Sequence, residues 1–95
     1  MRLNQEQIEA IRSAFAEIIG DGKAYLFGSR TDDAAKGGDI DLLIITPQRA
    51  SLESILRFKT RLLRRLGEQK IDVVNYAEGE SASFLDIISR EAIEL

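Results

Sequence analysis

Apolar positions along this chain recur with two periods. Ile8, Ile11, Phe15, Ile18 and Ile19 keep the three-and-four spacing of one helical face. Asn4 stands where an N-cap would, and Gln7, three residues on, completes a capping box. Leu3 and Ile8 are placed as a hydrophobic staple, and Gly20 or Gly22 supplies the stop. Residues 23–27, KAYLF, read as a short strand, and residues 28–38 as a loop with room for one helical turn. Residues 39–46, DIDLLIIT, form a strand that turns apolar on both faces after Asp41, which predicts a central place in a sheet. Pro47 ends it.

The helical period returns over 51–66, with Ser51 as cap and Gly67 as stop. Its expected buried stripe is Leu52, Ile55, Leu56, Leu62, Leu63 and Leu66. Residues 70–76, KIDVVNY, are a third strand, and 84–93 a last helix capped by Ser81 or Ser83. The order is α-β-loop-β-α-β-α. It predicts an α/β fold of the α+β type: a small mixed sheet of three to four strands flanked by helices. The helix between the second and third strands makes them parallel, and the short loop between the first two makes those antiparallel. Gly28, Ser29, Asp39 and Asp72 then meet at one edge of the sheet.

Composition narrows the chemistry. The 95 residues suit one domain, 1–95, and contain no repeat, linker or low-complexity run. Hydrophobic residues are 44% and charged residues 31%, the balance of a chain that folds. A formal net charge of −3 speaks against direct nucleic-acid binding. There is no Cys and no His. That removes disulfides, thiol chemistry, Ser-His-Asp catalysis and most zinc sites. The N-terminal MRLNQEQIEA lacks a secretory apolar core, and no apolar run approaches a membrane span, so a cytoplasmic location is expected.

Catalysis must therefore rest on carboxylates, hydroxyls, basic groups or a hard metal. Asp39 and Asp41 stand two apart on a strand, so both side chains point to one face. They repel unless a cation sits between them. Mg2+ takes such oxygen ligands, usually one or two carboxylates with substrate phosphates. Asp72, early in the neighbouring strand, is a third candidate ligand. Three carboxylates can hold two metal ions about 3.5–4 Å apart, an arrangement suited to in-line phosphoryl displacement. Gly28 lets backbone approach a phosphate, and Ser29 offers a hydroxyl and an N–H. Neither D-x-D nor Gly-Ser is specific alone; their combination with the flanking strands and helix is.

The stretch GSRTDDAAKGGDIDLLI, joined to KIDVV, resembles the G-S…D-x-D signature of the DNA polymerase β-like nucleotidyltransferase superfamily. Short length and element order resemble its minimal nucleotidyltransferase group. The resemblance runs from Ile8 to the last helix and implies the nucleotidyltransferase fold. It implies that Asp39 and Asp41 bind metal, and that Asp72 assists the acceptor hydroxyl and completes the metal site. Gly28 and Ser29, with Arg30 beside them, match the residues that hold the triphosphate. The cofactors implied are two Mg2+ ions, or Mn2+ in their place, with ATP or another nucleoside triphosphate as substrate. The acceptor oxygen would attack the α-phosphorus in line, with pyrophosphate leaving.

The chain departs from the pattern after Arg30. Relatives often place a second basic residue and a glycine there, as in G-S-R-x-R-G. Here Thr31, Asp32 and Asp33 follow, the spacer to Asp39 is nine residues, and Lys36 is the one basic residue that could substitute. Larger relatives carry a second domain for the acceptor. For the minimal group the resemblance implies a small helical partner of the HEPN type, in several pairs an RNA-cleaving toxin that the transferase adenylylates as antitoxin. A HEPN nuclease itself needs a His, which this chain lacks. A homodimer is a further expectation. The alternative function is a binding module that neutralises such a partner by contact alone. Arg57, Arg61, Arg64 and Arg65 make one basic stripe on the second helix, either a solvated face, a dock for an acidic partner, or a contact for RNA held by a partner.

Overall fold

The computed structural model describes residues 3–31, 39–67 and 69–95, with Ser29 and Arg30 through their backbone alone. Lys36 and the rest of the predicted phosphate loop, 32–38, lie outside the described residues.

Helix α1 (Gln5–Ala14) opens as its sequence dictates. Asn4 Oδ1 accepts from the Gln7 amide at 2.8 Å, and the Asn4 amide donates to Gln7 Oε1 at 2.9 Å. The predicted single helix ends differently. Over Phe15–Ile19 it widens into a π turn, closed by the Gly20 amide donating to the Phe15 carbonyl at 2.8 Å. Gly20 takes φ +85°, a backbone conformation open to glycine, and the chain leaves the helix there.

Strand β1 (Lys23–Phe27) follows, then a 3-10 turn (Gly28–Thr31), β2 (Ile40–Thr46), α2 (Leu52–Leu66), β3 (Ile71–Ala77), α3 (Ser83–Ser89) and β4 (Ile93–Glu94). The four-stranded sheet has the order β3-β2-β1-β4. β1 is antiparallel to β2 and β4, and β2 is parallel to β3 across the α2 crossover. β2 is central, as its two-sided apolar run requires. The mixed sheet with three helices is the expected α/β fold.

The last helix is shorter than the reading of 84–93. It stops at Ser89, and its N-cap is Ala82, not Ser81 or Ser83, with no side-chain cap bond. Ile93 and Leu95 alternate with strand period, and the open edge of β1 offers hydrogen bonds that another helical turn would forgo. The Leu95 amide donates to the Ala24 carbonyl at 2.9 Å.

The two faces of the sheet differ in cover. α1 and α2 close one face over a core that includes Ile11, Leu26, Leu42, Ile44, Phe58 and Leu62. The short α3 covers the other over Phe27, Leu43 and Ile88, leaving Tyr25, Ile45 and Val74 half-buried. α2 corrects its predicted stripe. Ser51 caps it, accepting from the Ser54 amide at 3.1 Å, but only Phe58 and Leu62 are fully buried. Leu52 is 74% exposed, Leu56 54% and Leu63 37%. The helix rests on a narrow line, Ile55–Phe58–Leu62–Leu66, with Phe58 edge-on to Phe15 at 6.4 Å. The other leucines are turned to its flank. Among the described residues, no helix is long and apolar enough to cross a membrane.

Candidate active site

Strand register assembles the site. Asp41 stands opposite Phe27 on β1 and opposite Asp72 on β3. Residues paired across adjacent strands share a face. Asp41, two residues before Leu43, and Asp72, two before Val74, thus point to the thinly covered α3 face. Asp39 lies one residue ahead of β2 rather than inside it. The Ile40 amide still donates to the Lys70 carbonyl at 3.0 Å, so the ladder carries Asp39 alongside Lys70.

Gly28, directly after Phe27, comes against Asp41 from the other side. It holds φ +76°, and a Cβ there would lie 2.4 Å from Asp41 Oδ2. Only glycine meets both demands. The Thr31 hydroxyl donates to the Gly28 carbonyl at 2.7 Å and pins the turn. Thr31, at the free position of the G-S-R-x-R-G pattern, therefore has a structural task here. Ser29 and Arg30 continue the turn next to Gly28.

The electrostatics are those of crowded carboxylates. Burial pushes the Asp41 carboxyl above its ordinary range, the charges of Asp72 and Asp39 and a hydrogen bond with Asp72 push the same way, and Lys70 opposes them. Lys70 Nζ lies 3.4 Å from Asp39 Oδ2, and that contact raises the ammonium's pKa. Asp41 and Asp72 are brought side by side. Asp39 is turned to Lys70, and among the described residues no three acidic side chains converge on one ion-sized point. The donor set is nonetheless all oxygen and short of positive charge, which suits a hard divalent cation. Lys70 escaped the sequence reading, which took it only as the start of a strand. Its signal was alternation: Lys70 shares a face with Asp72, and parallel register sets it beside Asp39.

A sequence profile of the family described as "Polymerase beta, Nucleotidyltransferase" matches residues 6–95. The chain belongs to the polymerase β nucleotidyltransferase family. Members of this family generally use nucleoside triphosphates and divalent metal ions, in keeping with the oxygen-rich edge just described. A crystal structure of a candidate nucleotidyltransferase from Sulfolobus solfataricus is similar, with 19% identity and a TM-score of 0.49 over 99% of this chain and 89% of that one. No curated protein matches the chain.

Proposed function

We propose that this nucleotidyltransferase-family chain moves an NMP, AMP from ATP, onto a hydroxyl of a small helical partner protein of the HEPN type, as the antitoxin-like half of the pair. The observation that supports catalysis is the in-register meeting of Gly28, Asp41 and Asp72. A module that acted by contact alone would gain nothing from carboxylates crowded enough to help burial raise the pKa of Asp41.

Asp39, Asp41 and Asp72 would hold Mg2+, which when bound neutralises the triphosphate and acidifies the acceptor hydroxyl. Gly28 keeps side-chain bulk away from Asp41, so the turn can close on the phosphates, with Ser29 and Arg30 as their further donors. Lys70 orients the Asp39 carboxylate. Asp72 receives the acceptor's proton. The acceptor oxygen bonds to the α-phosphorus, the bond to the bridging oxygen breaks, and pyrophosphate leaves. Positioning and charge neutralisation supply the rate.

The test mixes the chain with the product of its neighbouring gene, ATP and Mg2+, and weighs both proteins intact. Whole AMP units gained by the partner, and lost with Asp39→Asn, are the expected result. A stable complex without mass gain would replace transfer by neutralisation through contact.

A further inference from the structure

We infer that the outer face of α2 is a docking surface for an acidic amphipathic helix of a partner protein. The inference does not rest on the transfer reaction. Leu52 and Leu56 stand at the start of α2, beyond the end of β2 opposite to Asp41.

Leu52, Leu56 and Leu63 are spaced to be buried, yet the chain's own core leaves them exposed. Leu52, Leu56 and Thr60 follow one another at intervals of four residues, a straight row on a helix, and Leu63 extends it. Arg57, Arg61 and Arg64 run beside this row. Leu52, Leu56, Thr60 and the three arginines, with Glu53, line a shallow depression of about 540 Å³. Arg61 is engaged by Glu17. Among the described residues, Arg57 and Arg64 have no carboxylate partner. An apolar row flanked by unpaired charge is what a second helix reads when it lays its own apolar positions across a helix face.

Charge selects the occupant. α2 carries five basic side chains and one acidic, Glu53, in a chain whose net charge is −3. A second copy pairing α2 with α2 would set these bases against each other. RNA would engage the arginines but leave the leucines in water, and the acidic remainder of the chain would repel it. A helix with apolar residues at intervals of three and four, and Asp or Glu on the flank above Arg57 and Arg64, satisfies both parts.

The experiment places a photo-cross-linking phenylalanine analogue at position 56 of the full chain, in the cells that make it, and identifies the cross-linked segment by mass spectrometry. The expected product is an acidic, amphipathic segment of a different protein, obtained equally with Asp41→Asn. Synthesised as a peptide, that segment should bind the purified chain at least about tenfold more weakly when Arg57 and Arg64 are both changed to Glu, with the circular dichroism spectrum unchanged. Cross-links to a second copy or to RNA would overturn the inference. So would the absence of any cross-link, or an affinity indifferent to the double change.

Discussion

Gly28 is the residue on which the candidate site turns. Its φ of +76° lies in the left-handed region, where an L side chain loses about 1–2 kcal/mol. The missing Cβ also leaves the space that the Asp41 carboxylate fills. Gly28→Ala should therefore act twice. We expect a stability loss of about 1–2 kcal/mol in urea titration, and, if Asp41 serves the proposed reaction, a loss of transfer out of proportion to it, because the displaced atom is a carboxylate oxygen of the candidate site. Equal, modest losses in both would show that Asp41 relocates without consequence. Gly-Ser and D-x-D were legible as short strings, but not that the first glycine exists for the second aspartate. That relation is a contact across an antiparallel pair, and strand register sets it. Lys70 was hidden for the same reason, since its partner Asp39 lies just ahead of a different strand and only the pairing of β2 with β3 brings them together.

Elements were easier to read than the directions they face. Ser51, Gly67 and the leucine spacing mark α2 to within a residue, because caps and stops are local chemistry. Which leucines it buries depends on where α1 and the π turn stand, and periodicity carries no such information. A wide apolar arc was read as wholly buried, whereas Phe58, between two basic positions, is with Leu62 fully buried. The turn from β3 into α3 shows a contact of the same long-range kind. Glu80 accepts from Nε and Nη2 of Arg49 and from the Ala77 amide, the last at 3.0 Å, and Arg49 lies 5.2 Å over the Tyr76 ring. The hydrogen bond from Arg49 leads the causes that lower the Glu80 pKa from 4.5 to about 2. A depressed folded pKa stabilises above the unfolded value and is lost below it. Stability supplied by Glu80 should be complete above pH 4.5 and fall as pH drops toward 2. Glu80→Gln should flatten that part of the pH profile of the urea midpoint; an unchanged slope would mean that other carboxylates set it.

Across the molecule, the sheet divides labour between its faces. One is closed by two helices and holds most of the core; the other is covered by a helix of seven residues and carries the carboxylates at its open end. Concentrating Asp39, Asp41 and Asp72 there makes metal-free folding work against charge repulsion. The raised pKa of Asp41 gives this its sign. A folded pKa above the unfolded one means that the folded chain holds that proton more tightly. The associated stability is present below pH 3.8, the unfolded value, and is lost as pH rises through the raised folded value. At neutral pH the ionised cluster is therefore a net burden, and a divalent cation should relieve it. Adding Mg2+ at about 100 times its dissociation constant should stabilise the chain by about 2.7 kcal/mol, or some 10–20 °C in Tm by the roughly 4–8 °C per kcal/mol of a domain this size. EDTA should return the melt to its metal-free position without unfolding the chain, because the core of buried apolar residues owes nothing to the ion. Asp41→Asn should melt higher than the parent in EDTA and respond far less to Mg2+. If instead the variant melts lower in EDTA and keeps the full Mg2+ response, the cation binds elsewhere and Asp41 serves the fold rather than the reaction.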